Sequence, residues 1–298
     1  MLARLGLPRF DYVIPGTIDE ALRLLQKHGQ SARPLMGGTD LFVRMRDGFL
    51  QPKMVIDLKS LPLMRTISYD VRVGLTIGAA VTMNEVARHP VVASNYPPLA
   101  EAAHSVASYQ LRNRATLGGN LCNGSPAADT APAALVLQGS MILQSLAGER
   151  EVPGAQFFIG PGRTAIEPGE VMTAIRFPVL PSGTRGRYLK LGRNKAGDLA
   201  IAGVAVLGFP DESAASGYRF RIALASVAPV PLRVAFAEDA LATLPPGDEA
   251  FALAAEKAMQ ACSPIDDVRA SARYRRAMVH NLTLRGLRGV WQQLEEGN

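Results

Sequence analysis

Two glycine-rich junctions constrain this chain more than any other feature of its 298 residues. The first is Pro34, Leu35, Met36, Gly37, Gly38, Thr39, Asp40 and Leu41. It links a short apolar stretch, expected as a strand over Arg33–Met36, to a helix expected over Leu41–Arg46. Adjacent glycines permit positive φ and, having no Cβ, let a backbone come very close to a neighbour or a ligand. Thr39 or Asp40 can cap the helix, and the free amides of the turn can face an anion such as a pyrophosphate. The same residues also suit an ordinary strand–helix turn. No Gly-Lys-Ser/Thr follows, so this is not a P-loop, and the spacing is not Gly-x-Gly-x-x-Gly. The second junction runs from Arg114 to Thr130 and gathers Thr116, Leu117, Gly118, Gly119, Asn120, Asn123, Gly124 and Ser125. It reads as a polar loop before a helix at Asp129–Leu135. Either it is a plain surface loop, or its small-residue amides and hydroxyls meet the phosphates and sugar-like chain of a ligand. Asp129 could accept from a ligand hydroxyl or cap the helix. Two such junctions in neighbouring lobes suggest one extended ligand held between them.

The periodicity around them suggests three units with boundaries near residues 58 and 179. In 1–58, Thr17-Ile-Asp-Glu20 is a capping box, Ile18, Ala21, Leu22 and Leu25 recur at helical spacing, and Gly29 closes the helix. With a strand at Met54–Asp57 this makes a β-α-β order and a small parallel sheet. In 59–178, Val71–Gly78 alternates as a half-buried strand, and a second capping box at Thr82–Glu85 starts a helix that stops before Pro90. A helix at Leu99–Ala107 and strands at Met141–Gln144 and Val171–Phe177 follow. In 179–298 come strands at Arg187–Leu191, Leu199–Val206 and Arg219–Ala225. Helices at Arg233–Ala242, Asp248–Ala261 and Val268–Trp291 end the chain. On the last of these, Tyr274, Ala277, Met278, Leu284, Leu287 and Trp291 form the expected apolar face.

Composition removes several function classes. Apolar residues make up 48% and charged residues 19%, as in a folded globular chain. No apolar run reaches the ~18 residues of a membrane span, and Met1–Arg9 holds no apolar core of signal-peptide length, so a soluble, cytoplasmic protein is expected. Two cysteines, Cys122 and Cys262, and four scattered histidines leave no framework for disulfides, an iron–sulfur cluster or a metal site. The net charge of +6 with a pI near 9.5 suggests polyanion binding at first sight. The excess, however, concentrates in two runs that contain no acid, Arg185–Lys195 and Arg269–Arg288. On the C-terminal helix the arginines are expected to face solvent or an acidic patch on a partner.

Leu35-Met-Gly-Gly-Thr-Asp40, Ile77-Gly-Ala-Ala-Val-Thr82, Ala115-Thr-Leu-Gly-Gly-Asn120 and Ser125-Pro-Ala-Ala-Asp129 together resemble the medium, FAD-binding subunit of molybdenum hydroxylases, the flavoprotein of the xanthine dehydrogenase and carbon monoxide dehydrogenase group. Tyr188–Arg193, Asp198–Ala205, Ala225–Arg233 and Ala272–Arg276 resemble that subunit's C-terminal domain, so the likeness covers nearly the whole chain. The resemblance implies an α+β protein with a para-cresol-methylhydroxylase-type FAD-binding fold: two α/β lobes, 1–58 and 59–178, and a C-terminal α+β domain, 179–298, with an antiparallel sheet and helices. It implies a non-covalently bound FAD whose pyrophosphate is cradled around Met36–Asp40, flanked by Pro34, Leu35 and Leu41. Thr116–Asn120, Ser125 and Asp129 would contact pyrophosphate and ribityl, Ala107 would line the site, and Lys190 would lie near the isoalloxazine.

The implied role is electron transfer in an oxidoreductase. A large molybdopterin-binding subunit oxidises the substrate, a small subunit with two [2Fe–2S] clusters relays electrons, and FAD passes them to an acceptor, in a dimer of heterotrimers. No side chain here is expected to be an acid or base, since the flavin is the redox group. Two cysteines cannot support the extra [4Fe–4S] cluster of the hydroxybenzoyl-CoA reductase branch. Cys122 is expected to be an inert buried thiol. The alternatives are a stand-alone FAD-dependent oxidoreductase with its own substrate, for which no constellation is visible, and a basic nucleic-acid-binding protein with no flavin.

Overall fold

A computed structural model describes residues 6–194 and 197–297. Lys195, the last member of the first basic run, and Met1–Leu5 of the N-terminal segment lie outside the described residues. Among the described residues three larger sheets follow one another along the chain, each built from a contiguous stretch, and a two-stranded sheet lies within the second stretch.

The first comprises β1 (Asp11–Val13), α1 (Ile18–His28), β2 (Ala32–Leu35), α2 (Leu41–Arg46) and β3 (Met54–Asp57), with all strands parallel in the order β1-β3-β2. β1 escapes periodicity because it has three residues, two of them exposed. At α1 the Thr17 hydroxyl accepts from the Glu20 amide, while the Glu20 carboxylate accepts from Gly16 and not from Thr17. Ala21, Leu22 and Leu25 are the buried face, as expected.

The second stretch opens with β4 (Ile67–Asp70) and β5 (Gly74–Gly78). Five helices follow: α3 (Met83–Arg88), α4 (Pro90–Asn95), α5 (Pro97–Ser105), α6 (Tyr109–Arg112) and α7 (Leu117–Cys122), then α8 (Thr130–Val136). It closes with β6 (Ser140–Ser145), β7 (Gly148–Pro153), α9 (Gly154–Phe157), β8 (Phe158–Gly160), β9 (Arg163–Thr164) and β10 (Val171–Phe177). Its antiparallel sheet has the order β4-β5-β10-β6-β7. The strand expected from Val71 begins instead at Gly74. Asp70 Oδ1 accepts from the amides of Arg72 and Val73, which closes a turn and leaves Val71 and Val73 exposed. The reciprocal capping box at Thr82 and Glu85 is present, and Pro90 begins a new helix at its first turn.

The larger correction concerns Gly118 and Gly119, expected in a loop and found inside α7. Thr116 caps that helix, its hydroxyl accepting from the Gly119 amide at 3.1 Å. A Cβ on Gly118 would lie 2.5 Å from the Ala79 Cβ, so glycine lets α7 press onto the Ala79 backbone. That packing offsets the ~1 kcal/mol helix penalty of each glycine.

The third stretch contains β11 (Arg185–Leu191), β12 (Ala202–Pro210), β13 (Tyr218–Ala225) and β14 (Leu232–Arg233), an antiparallel sheet in sequence order, then α10 (Ala235–Thr243), α11 (Asp248–Gln260) and α12 (Ala272–Glu295). The apolar face expected on α12 is met at Leu287, which is buried, and at Met278, Leu284 and Trp291, which pack against the core, but not at Tyr274 and Ala277. The helix buries Arg275, Val279, Thr283, Gly286, Leu287, Val290 and Leu294, while Tyr274 and Ala277 are exposed. Glycine at 286 lets the helix pack closely here, because a Cβ there would lie 2.9 Å from the Val206 side chain. Arg275 likewise corrects the expectation that the helix's arginines face outward. It is buried and donates to the carbonyls of Ile201 and Ser226 and to Asp267.

A continuous core joins the second sheet and its helices to Tyr188, Ala205, Leu207, Phe209 and Ala223 on one face of the third. Among the described residues, no helix is long and apolar enough to cross a membrane.

Candidate functional site

The two glycine junctions meet. A Cβ on Gly37 would sit 2.2 Å from the Arg114 carbonyl oxygen and 3.0 Å from the Ala115 Cα, so the first turn lies directly on the start of the second junction. Thr116 Oγ1 lies 3.9 Å from Met36 Sδ across the same seam. Between them opens a cavity of about 600 Å³, in the range of small-molecule and cofactor sites.

Its wall contains Pro34 to Leu41 without interruption, together with Ala107, Thr116, Gly119, Asn120, Ser125 and Asp129. Leu117, Gly118 and Lys190 stand behind it. The amides of Leu117 and Gly118 are already bonded to the carbonyls of Val81 and Ala79, so these two residues pack the helix and do not face the cavity. Residues not singled out from the sequence also line the wall, among them Arg33, Arg44, Leu111 and Leu199. Arg44 lies one helical turn beyond Asp40, a spacing that could have drawn attention to it.

The chemistry varies along the wall. Gly38 adopts φ +74°. No amide from Gly37 to Leu41 donates to another described residue, which leaves a run of backbone donors suited to phosphate oxygens. Neither Thr39 nor Asp40 caps α2 through its side chain. Burial pushes the Asp40 carboxyl up, with Arg44 and then the Thr39 hydroxyl opposing it. Ala107 is one of three described non-glycine residues with positive φ, at +44°.

Asp129 does not cap α8 with its carboxylate. Lys190 Nζ donates to Oδ2 at 2.8 Å and the Tyr188 hydroxyl to Oδ1 at 2.8 Å. Tyr188 and Lys190 are two apart on β11 and therefore share a face. Room for the tyrosine hydroxyl comes from Gly203 on β12, where a Cβ would be 2.5 Å away. Lys190 also donates to the Ser105 carbonyl at 3.0 Å. Burial pushes Asp129 up, opposed by Lys190 and the Tyr188 hydroxyl, and pushes Tyr188 well up.

Cys122 lines the cavity beside Met172, and burial pushes its thiol up to about 12, as it does that of Cys262. At pH 8 neither is a thiolate, so neither is expected to react with a disulfide reagent in the folded protein. Both should titrate after denaturation. A fast-reacting native thiol would contradict this burial.

Phosphate-ready amides, absent Cβ atoms and a buried carboxylate at one wall fit a dinucleotide with a polyhydroxyl chain. The fold and this site define a flavoprotein. Residues 8–180 match the family described as the FAD binding domain in molybdopterin dehydrogenase, and residues 187–290 match the CO dehydrogenase flavoprotein C-terminal domain. The chain is 37% identical over 284 residues to the carbon monoxide dehydrogenase medium chain of Hydrogenophaga pseudoflava, covering 95% of this chain and 98% of that one. It is 30% identical over 268 residues to the xanthine dehydrogenase FAD-binding subunit of Escherichia coli O157:H7, covering 90% and 91%.

Its structure is similar to that of the carbon monoxide dehydrogenase from Hydrogenophaga pseudoflava that lacks the Mo-pyranopterin moiety, with TM-score 0.92 and 36% identity over 97% of this chain and 99% of that one. Quinoline 2-oxidoreductase from Pseudomonas putida 86 matches with TM-score 0.89 and 27% identity, again covering 97% and 99%. The chain belongs to the family of FAD-binding medium subunits of molybdenum hydroxylases. It has the para-cresol-methylhydroxylase-type FAD-binding fold and is an oxidoreductase subunit.

Proposed function

We propose that this chain is the FAD-carrying electron-transfer subunit of a multi-subunit molybdenum hydroxylase. It takes electrons from the [2Fe–2S] clusters of a small subunit and passes them to an external acceptor. The observation that carries this reading is the cavity itself: the two glycine junctions border about 600 Å³ lined by small residues and free backbone amides, which supports a dinucleotide site. The three larger sheets support division into two FAD-binding lobes, 1–58 and 59–178, and a C-terminal domain, 179–298.

Within the site, the amides of Gly37–Leu41 would hold the pyrophosphate, with Gly37 and Gly38 allowing its close approach. Thr116, Gly119, Asn120 and Ser125 would contact the phosphates and ribityl chain, and Asp129 would accept from a ribityl hydroxyl. Lys190 and Tyr188 fix the Asp129 carboxylate from behind. The flavin, when bound, supplies the redox chemistry, and the protein supplies position and field. Attachment would be non-covalent, because a thiol as protonated as that of Cys122 is no nucleophile.

The partners would be a large molybdopterin-binding subunit and a small [2Fe–2S] subunit, arranged as a dimer of heterotrimers in the cytoplasm. Exposed Arg273 and Arg276 on α12 are available to an acidic partner surface. Co-expression with such subunits should yield one complex containing molybdenum, iron and FAD. A lone yellow protein that turns over its own substrate would overturn this reading and favour a stand-alone flavoenzyme.

A further inference from the structure

Arg112 is a buried cation with no carboxylate. Only 8% of the residue is exposed, and each of its hydrogen-bond partners is neutral. Its Nε donates to Asn84 Oδ1 at 3.1 Å, and one terminal nitrogen donates to the carbonyls of Val106 at 3.0 Å and Ala107 at 3.2 Å. Asn84 is itself buried and held by donation to the Tyr109 carbonyl and to Asn113 Oδ1. The charged group that bears most on Arg112 is another cation, Arg88, exposed and stacked over the Tyr109 ring. No ion pair of Arg112 exists among the described residues.

A buried charge is normally tolerated only with a compensating partner. The guanidinium's partners lead from it to the cavity. Val106 and Ala107, whose carbonyls it holds, form part of that wall, and Ala107 is in the left-handed conformation. Lys190, by contrast, contributes little net field at the same end, because the Asp129 carboxylate 2.8 Å away cancels its charge.

Building on the proposed FAD site, we propose that Arg112, not Lys190, supplies the uncompensated positive charge that favours the reduced flavin. Two-electron reduction of FAD by an external reductant adds two electrons and one proton and leaves one negative charge on the ring. A fixed cation behind the wall lowers the free energy of that anion relative to the neutral oxidised form. Arg112 is thus a positioning residue for Ala107 and a field source for the cofactor, without touching it.

The test uses the full chain loaded with FAD and equilibrated with a dye of known potential. Arg112→Met should shift the two-electron reduction equilibrium toward oxidised flavin by about tenfold or more, the scale on which one charge acts through a protein interior of effective dielectric near 20. Tenfold is about 30 mV for a two-electron couple. Arg112→Lys, which keeps the charge, should stay within about threefold of the parent. Asn84→Asp places a carboxylate on the guanidinium without removing it, and should shift the equilibrium in the same direction as Arg112→Met. Bound FAD with an equilibrium unmoved in Arg112→Met and Asn84→Asp would overturn the inference while leaving the FAD site intact. Loss of FAD from both variants would confine Arg112 to holding Ala107, and the field assignment would fall. A parent chain that takes up no FAD at all would overturn the site itself.

Discussion

Gly37→Ala should release FAD and lower the melting temperature by several degrees. The added methyl would lie 2.2 Å from the Arg114 carbonyl oxygen, 2.9 Å from its carbon and 3.0 Å from the Ala115 Cα, all backbone atoms that no rotamer change can move. Overpacking of this kind costs typically 1–3 kcal/mol, and here the strain falls on the seam between the two lobes. Opening that seam separates the amides of Gly37–Leu41 from Thr116 and Asn120, and with them the two halves of the site. Gly38→Val tests the same placement by a different route. At φ +74° a β-branched residue is strained whatever the space, although the Phe42 ring and Leu35 methyl it would meet can move. Visible absorbance relative to protein absorbance, with calorimetry of the same samples, measures both effects. Full flavin content in either variant would place the pyrophosphate elsewhere.

Lys190→Met should cost about 3–5 kcal/mol of stability at pH 8, because it leaves the Asp129 carboxylate buried with only the Tyr188 hydroxyl as partner. The loss should depend on pH with a definite sign. Burial already pushes Asp129 up, and Lys190 is the principal group opposing that. Without it the folded-state pKa rises further above the unfolded value. A group raised in this way is least costly below its unfolded pKa, and stability is lost as pH rises through the folded one. The gap in melting temperature between parent and variant should therefore narrow from pH 8 to pH 5. The double variant Asp129→Asn, Lys190→Met, which replaces a charged pair with a neutral one, should recover most of the loss. A gap that stays constant with pH would mean that the pair is solvated and not the buried anchor described above.

Much of the fold is legible from local rules. The Thr82–Glu85 box starts α3, Gly29 ends α1, and β10 occupies Val171–Phe177 as expected. Where local rules fail, a distant contact decides. α7 forms through two glycines because Ala79 leaves no space for a side chain, and glycine appears in propensity only as a breaker. β4 and β7 carry few apolar residues, and they form by pairing with β5 and β6. On α12 the expected face holds at Met278, Leu284, Leu287 and Trp291, but Tyr274 and Ala277 are exposed and Arg275 is buried instead.

The site divides in the same way. The residue types at Gly37, Gly38, Thr116, Asn120 and Asp129, and their order along the chain, suggested one extended ligand held between two junctions, and the family resemblance named it as FAD. The first of these follows because amide donors, absent Cβ atoms and a carboxylate are properties of the residues themselves. Their meeting at one cavity, and the removal of Leu117 and Gly118 from its wall, depend on packing across β5, α7 and the first lobe. Charge was the least local property of all. Two acid-free basic runs looked like patches in sequence. In the folded protein Lys190 meets Asp129, Arg193 meets Asp198, Arg275 and Arg269 meet Asp267, and Arg288 meets Asp248. Arg112, in neither run, keeps its charge unpaired. Coulomb interactions act through space, so the chain alone determined how many charges there are, and only the tertiary structure decided which of them still act.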